Sequence, residues 1–185
     1  MLAGKLVRLC PVEAGDLDDW CAWLSDREVT RYLGGSARYP VSRTGEAAWL
    51  ADAAHRTSPP EIALQLDTLE GSHIGGVGLH RISIENRDAF LGITIGDKNC
   101  WSHGYGTDAI IMLLRFAFDE INLNRVWLTV HEVNLRGIAC YRKCGFIEEA
   151  RLRQNRYRAG RYWDTIVMGV LADEFRALHL SEAGP

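Results

Sequence analysis

Residues 93–121 constrain the fold of this chain most, because a strand pattern leads through a glycine-rich loop into a helix pattern. The β-branched residues at 93–95 are typical of a strand. Apolar residues recur at helical spacing over 110–121, which predicts a helix with one buried face. Gly104 and Gly106 lie in the loop before that helix. A glycine-rich helix entrance exposes unpaired backbone N–H groups and the positive end of the helix dipole, so the segment predicts a phosphate-binding site.

The flanking patterns predict a single mixed α/β domain. Helical spacing predicts helices over 16–25 and 26–33, one from Ser42 or Thr44 to about 54, and one over 134–143 with Asn134 as its N-cap and Gly145 as its left-handed C-terminal residue. Alternating or β-branched residues predict strands over 5–10, 61–69, 73–84, 89–96, 125–131, 146–157 and 162–171. Hairpins join most of these strands, with one βαβ step in the middle. Residues 172–185 are predicted to be a tail with one helical turn at most.

The composition excludes several classes of protein. The 185 residues carry a net charge of -3 without a basic tail or a basic and aromatic stripe, so we expect no nucleic-acid partner. The five cysteines are scattered, which predicts no disulfide framework. Cys140 and Cys144 are expected to be small apolar core residues rather than ligands, so no metal site is predicted. No segment is long enough to span a bilayer, and no signal peptide is evident, so we expect a cytoplasmic protein without a membrane partner.

The glycine loop also fits the pattern of dinucleotide-binding sites. Residues 104–109 read G-x-G-x-x-A, and Glu132 follows in the next strand pattern. An NAD(P)-binding protein is nevertheless disfavoured, because in that motif the first glycine follows its strand almost at once, whereas residues 97–103 intervene here. The surrounding hairpins also leave no alternating β and α units for a doubly wound sheet. By themselves, the two glycines are explained better by a tight turn.

A second informative run extends from Asn134 to Phe146. Asn134 and Tyr141 are two helical turns apart, so they lie on the same side of the predicted helix. Taken singly, Asn134 is equally well explained as a plain N-cap, and Tyr141 as an amphipathic core aromatic.

Together with His-Gly-Tyr-Gly-Thr at 103–107, this run resembles the GNAT superfamily of acyl-coenzyme A-dependent N-acyltransferases, and within it the ribosomal-protein N-acetyltransferase-like (RimJ/RimL-like) branch. The resemblance extends over about 4–171 and includes the hairpin Glu-Gly-Ser-His-Ile-Gly-Gly-Val-Gly-Leu at 70–79. It implies an α/β (α+β) acyl-CoA N-acyltransferase fold. The sheet would be mixed, strongly twisted and mostly antiparallel, with about seven strands flanked by helices and a splay between two central parallel strands. It also implies one N-acetyltransferase domain over 1–172, followed by a tail at 173–185.

The resemblance implies acetyl-CoA as co-substrate and no metal. The pantetheine arm would lie in the splay along the backbone of 93–95, and the pyrophosphate on the amides of 102–107. Asn134 would hydrogen-bond the pantetheine or phosphate region, and Tyr141 would stand near the thioester sulfur. The expected donor-binding residues are Ile93, Thr94, Ile95, Trp101, Ser102, His103, Gly104, Tyr105, Gly106, Thr107, Asn134, Tyr141 and Lys143.

One position departs from the superfamily pattern. Trp101 stands where Gln or Arg usually precedes the first glycine by three residues, so that side chain's contribution is absent. Backbone amides form most of the cradle, so we expect donor binding to persist. His103 is either an additional phosphate contact or an exposed loop histidine.

The implied reaction is direct attack of an amine on the acetyl thioester in a ternary complex, which needs a neutral amine and an acid for the leaving thiolate. We expect Tyr141 to be the general acid, because a phenol with a pKa of about 10 is protonated at neutral pH. The base is left open. Glu132 and His131 are preferred at the end of their strand, although such residues are more often simply solvated. The other candidates are Glu85, Asp88 and His80.

The acceptor is left open between a protein N-terminal α-amine and a small-molecule amine. Trp23, Glu28 and Tyr32 in the first helices are the substrate-binding candidates. Exposed terminal strands allow a homodimer. A non-catalytic acyl-CoA-binding or sensing module would use the same phosphate cradle and is the alternative from another functional class.

Overall fold

The computed structural model describes residues 1–34 and 39–179, which form a nine-stranded sheet flanked by helices. The strands are β1 (Leu2–Ala3), β2 (Val7–Pro11), β3 (Thr57–Ser58), β4 (Glu61–Thr68), β5 (His73–Ser83), β6 (Asp88–Ile95), β7 (Arg125–His131), β8 (Ile147–Arg158) and β9 (Arg161–Leu171). The helices are α1 (Leu17–Ser25), α2 (Arg43–Ala53), α3 (Tyr105–Arg115), α4 (Leu135–Lys143) and α5 (Ala172–His179). A π-helical turn at Phe116–Glu120 extends α3.

The strand order is β1-β2-β4-β5-β6-β7-β9-β8, with β3 paired to β4. All neighbouring strands are antiparallel except β6 and β7, which are parallel. The two-residue strands β1 and β3 account for the difference from the predicted seven strands. The predicted fold class is confirmed.

The two faces of the sheet bury two groups of apolar side chains. Ile62 and Leu66 of β4 belong to the main core, which α3, α4 and α5 cover. Ala63 points to the opposite face and packs with Trp20 of α1 and Leu50 of α2. Because side chains alternate along a strand, one strand contributes to both cores.

Two predicted elements differ from the structure. Residues 26–33 form only a short 3-10 turn at Thr30–Tyr32. The Asp26 side chain accepts a hydrogen bond from the Glu28 N–H at 2.7 Å, and this local bond competes with helix formation. The predicted tail begins with α5, which buries Phe175 against Phe118 at 5.5 Å between ring centroids. Residues 180–185 lie outside the described residues, and the division into a domain and a tail stays a prediction.

Asp108, in the first turn of α3, fastens the start of the chain to the glycine loop. Its carboxylate accepts hydrogen bonds from the backbone N–H groups of Lys5 at 3.2 Å, Leu6 at 2.7 Å and Val7 at 3.1 Å. The Leu6 side chain also lies beside Gly104. Within the described ranges, no helix combines the length and the apolar character needed to cross a membrane.

We expect Asp108→Ala to lower the free energy of unfolding by about 1–3 kcal/mol, because three backbone donors lose a charged acceptor. Urea denaturation followed by circular dichroism measures this change. Glu70→Ala, at an exposed turn residue, is the control and should stay within about 0.5 kcal/mol of the parent protein. Equal stability of the two variants would show that these three bonds do not hold the chain start.

Candidate active site

The site lies where the central parallel strands separate. β6 and β7 pair only through Asp88 with Arg125, Ala89 with Val126 and Phe90 with Trp127, although both strands continue further. The predicted splay is therefore present, and the β7-facing edge of β6 has no strand partner beyond Phe90. Backbone polar groups left unpaired inside a sheet are available to a ligand.

Two cavities open at this splay, a larger one of about 530 Å³ and a smaller one of about 310 Å³. The side chains that line both cavities mark the junction between them. They are Tyr32, Leu33, Ile93, Thr94, Asn134 and Tyr141.

The glycine loop forms one wall of the smaller cavity. Gly104 has a φ of 88°, a left-handed conformation that favours glycine, and it caps the N-terminus of α3. Among the hydrogen bonds between described residues, none is donated by the backbone N–H groups of 102–107, whereas the Asp108 N–H bonds to the Gly104 carbonyl at 3.0 Å. These free amides, together with the dipole of α3, suit an anionic ligand.

Gly106 leaves space on the cavity side of the loop. A Cβ atom at this position would lie 3.8 Å from Sγ of Cys140 and 3.9 Å from the side chains of Ile93 and Ile95. All three neighbours line the smaller cavity. A side chain at position 106 would thus fill ligand space without displacing the protein.

Trp101 and Arg136 meet at the mouth of the smaller cavity. The Trp101 indole N–H donates to the Ile95 carbonyl at 2.8 Å, and the Arg136 guanidinium stacks 3.9 Å from the centre of the indole ring. Both residues line the cavity, as does Lys143. The basic group missing at position 101 is therefore supplied by α4. Arg136 is a lining residue that is not among the predicted donor-binding residues, although it lies two positions after Asn134 in the sequence.

Asn134 and Tyr141 lie on one side of α4, as their spacing predicts. The Asn134 Oδ1 atom accepts from the Gly137 N–H at 3.0 Å, so the residue is the predicted N-cap and lines both cavities as well. The Tyr141 ring packs against Phe146 at 6.0 Å between centroids. Burial, with a smaller contribution from the Cys140 and Cys144 thiols, raises the pKa of Tyr141, which keeps the phenol protonated at neutral pH.

The two cysteines of α4 differ in position. Cys144 is fully buried in the core, as predicted. Cys140 is partly buried and packs against the same core, as predicted, and it also lines the smaller cavity with its Sγ 3.3 Å from the Thr107 hydroxyl. Across 1–34 and 39–179, no group of three or more His, Cys, Asp and Glu side chains is arranged to hold a metal ion.

The three substrate candidates occupy different places. Tyr32 lines both cavities. Glu28 lines the smaller cavity, where its carboxylate pairs with Lys98 at 3.1 Å. Trp23 lines neither cavity, and its ring covers the backbone of Gly96 at the end of β6.

The base candidates also separate in the structure. Glu132 lines neither cavity, because its carboxylate accepts from the Asp164 N–H at 2.9 Å and from Arg151 at 3.2 Å. His131 lines the larger cavity. Burial, with Arg156 and Arg158 nearby, lowers the pKa of His131 and favours the neutral ring.

His103, the candidate for an additional phosphate contact, lines neither cavity. The centroids of its ring and of the Tyr105 ring are 6.3 Å apart.

Comparisons with known proteins agree with this geometry. Residues 7–147 match the acetyltransferase (GNAT) domain family. The uncharacterized N-acetyltransferase p20 of Bacillus licheniformis is 28% identical over 170 residues, which are 89% of this chain and 92% of that protein. The putative ribosomal N-acetyltransferase YdaF of Bacillus subtilis is 32% identical over 106 residues, which are 57% of each chain.

A solved structure is similar over nearly the whole chain. The crystal structure of spermidine N-acetyltransferase from Vibrio cholerae in complex with CoA and spermine aligns with a TM-score of 0.81 and 25% identity, covering 91% of this chain and 97% of that one. The family match, the splayed parallel pair and the helix-capped loop lead to one conclusion. The chain belongs to the GNAT acetyltransferase family and is an N-acetyltransferase.

Proposed function

We propose that this enzyme transfers the acetyl group of acetyl-CoA to the primary amine of a small molecule, by direct attack while both substrates are bound. The observation that carries the proposal is the position of Asn134 and Tyr141 where two cavities meet at the splay. One cavity offers unpaired amides and basic side chains for a phosphate-bearing donor. The other has space for a separate acceptor.

Acetyl-CoA supplies an activated acetyl group, and the lining of the smaller cavity fits the rest of that molecule. The amides of 102–107 are free donors for a pyrophosphate, and Arg136 and Lys143 supply positive charge nearby. The β6 edge at 93–95 and the Asn134 side chain offer polar groups to the pantetheine arm. CoA in the Vibrio cholerae structure supports this assignment.

Tyr141 is proposed to donate its hydroxyl proton to the departing sulfur. Its position at the junction of the two cavities, together with a raised pKa that keeps the phenol protonated, supports this role. The proton leaves oxygen as the carbon–sulfur bond breaks, which gives a free thiol. The phenolate that remains regains a proton before the next turnover.

His131 is proposed as the base that takes a proton from the attacking amine. Its ring lines the larger cavity and is held neutral, which is the state that a base requires. The sequence favours Glu132 as a base as much as His131, but the Glu132 carboxylate faces Arg151 and the Asp164 amide instead of a cavity. Its role as a base stays a prediction without support from its placement.

The small-molecule class is favoured because the acceptor would enter a defined cavity, and because the similar Vibrio cholerae enzyme is named for an amine of this class. A protein N-terminal amine stays a prediction, as does the RimJ/RimL-like branch, which the similarity to YdaF supports. The cytoplasmic location and the homodimer stay predictions as well. For the homodimer, β8 is an edge strand with Ile147 and Leu152 exposed.

We expect Gly106→Val to weaken CoA binding at least about 100-fold while the protein remains folded, because the added methyl groups enter the smaller cavity. Isothermal titration calorimetry measures the affinity and thermal unfolding checks the fold. Gly15→Val is the matched control, since no atom lies within 4 Å of its added Cβ. Unchanged affinity in the folded Gly106 variant would refute the cradle.

We expect Tyr141→Phe to lower kcat by about 10²-fold with little effect on CoA affinity, because only the acid is lost. The assay measures thiol release from acetyl-CoA with a panel of amines and identifies each product by mass spectrometry. Tyr162→Phe, at an exposed phenol outside both cavities, should retain parent activity. CoA binding without thiol release for any amine would instead favour the non-catalytic sensing module.

The acid limb of the kcat profile should lie below the usual pKa range of histidine, because protonation inactivates the base and the pKa of His131 is lowered. His131→Gln should abolish this limb and lower kcat by about 10²-fold or more. Activity at saturating amine is measured from about pH 5 to about pH 9, a span that includes the range in which histidines titrate. His55→Gln, at an exposed histidine, is the control. A limb that survives in His131→Gln would assign the base elsewhere.

A further inference from the structure

The charged side chains around the larger cavity restrict the kind of amine that it accepts. We infer that the acceptor carries a carboxylate in addition to its primary amine, and that Arg156 of β8 binds this carboxylate. The inference rests on the proposed function, because it concerns the acceptor of the same reaction. It also separates this enzyme from one that acts on a polyamine.

Arg156 lines the larger cavity next to Gly34. The pairing of β8 with β9 shifts register between Leu152 and Arg156, and Arg156 then lies opposite Trp163. A Cβ atom placed on Gly34 would lie 2.6 Å from Nη2 of Arg156 and 3.5 Å from its Cζ. The guanidinium therefore lies directly against the backbone of Gly34, at the edge of the cavity that both residues line.

Arg156 has no acidic partner in the described parts of the chain, where no hydrogen bond or ion pair of its guanidinium is found. Its neighbours on β8 differ in this respect. Arg151 pairs with Glu132 at 3.2 Å, and Arg158 donates to the Thr30 carbonyl at 2.7 Å. The residues at 35–38, which follow Gly34, are Gly-Ser-Ala-Arg and include no acid. A partly buried arginine without a counter-ion is a binding group for a carboxylate, which it can contact through two parallel hydrogen bonds.

The remaining charges of the larger cavity do not suit a second ammonium group. Among the described residues that line it, Glu46 is the one acid, and burial raises the pKa of this carboxyl, which disfavours its charged form. Arg56 also lines the cavity. It forms ion pairs with Asp52 and, at 3.0 Å, with Glu61, and neither of these acids is a lining residue. The second ammonium group of a diamine would thus be repelled by the guanidinium of Arg156, and no ionised carboxylate of the described lining would offset this repulsion.

A second polar side chain of the larger cavity, Gln65, has an unpaired acceptor atom among the described residues. The Oε1 atom of Gln65 is buried and has no hydrogen-bond partner among the described residues, while its Nε2 donates to Asp67 at 3.2 Å. An acceptor left unpaired in a buried position fits a ligand that brings an N–H donor. The Gln65 carbonyl therefore favours a ligand that carries an amine, and the choice of an amino acid over a diamine rests on the charges of Arg156 and Glu46.

The test compares three matched series of substrates. Unbranched ω-amino acids from glycine to 6-aminohexanoate are compared with their primary amides and with diamines of equal length, with kcat/KM measured by thiol release. For the parent enzyme we expect the best amino acid to exceed its amide and its diamine at least about tenfold. A preference for the diamines would overturn the inference, and Glu46→Gln would then be expected to remove that preference.

The variants assign the preference to one side chain. Arg156→Gln should raise KM for the amino acids about 10- to 100-fold relative to the amides, because any change in the pKa of His131 that follows from the loss of the Arg156 charge affects both series alike. Arg156→Lys should retain part of the preference because it keeps the charge. Arg153→Gln is the matched control, since Arg153 is an exposed arginine of the same strand outside both cavities. An amino-acid preference that survives in Arg156→Gln would contradict the role of Arg156.

A binding measurement keeps the inference separate from the proposed function. Calorimetry with CoA present compares the affinity of the parent protein and of Arg156→Gln for the same amino acids, and CoA affinity itself reports on folding. If no amine is acetylated, the proposed function fails, but selective and Arg156-dependent binding of amino acids would still support the inference. Equal binding of amino acids and diamines by both proteins would refute it.

Discussion

The loss of pairing between two parallel strands is the constraint on which the rest of this structure depends. β6 and β7 are joined only up to Phe90 and Trp127, and beyond that point each strand is bonded on its outer side alone. Unpaired backbone groups in the middle of a sheet need a partner, and here they line a cleft. Both helices that follow these strands begin at the cleft, since the first turns of α3 and α4 line the smaller cavity. One defect in the sheet thus provides a place for the ligand together with the positive ends of two helix dipoles.

Hydrogen bonds of neighbouring side chains fix the two ends of the glycine loop. Asp108 fastens its helical end to the start of β2, and Trp101 bonds the other end to the last carbonyl of β6. Arg136 then stacks on the indole and adds a positive charge at the place where the superfamily pattern has a basic or amide side chain. The amides themselves remain without protein acceptors within the described segments. A rigid frame around free donors costs less on binding than a loop that must first be ordered.

The two cavities divide the chemistry of the enzyme between a part shared with the family and a part particular to this chain. The smaller cavity is built from backbone amides and the two ends of α4, which suit any phosphate-bearing acyl donor. The larger cavity is lined by β4, β5, β6 and β7, together with Glu46 of α2 and Arg156 of β8, so its charge depends on individual side chains. Arg156 and Glu46 contribute to the larger cavity through their side chains, so substitutions at these two positions can change its charge while the backbone pairing of the sheet is kept.

Local patterns in the sequence determined the elements and several parts of the site. The strand 125–131 agrees with β7 residue for residue, Asn134 caps α4 as predicted, and Gly145 has the expected left-handed conformation with a φ of 97°. These features depend on periodicity and on hydrogen bonds between residues a few positions apart, so they can be read from the chain itself.

Only the tertiary structure decided what lines the two cavities. Trp23 covers Gly96 instead of a cavity, Glu132 faces Arg151, and Arg156 lines the larger cavity beside Gly34. Each of these contacts joins segments far apart in sequence, and the choice among them is set by packing and by the partners available for each charge. Local patterns were therefore enough to predict a helix-capped phosphate loop beside a strand, whereas packing between distant segments set which charged side chains line the larger cavity.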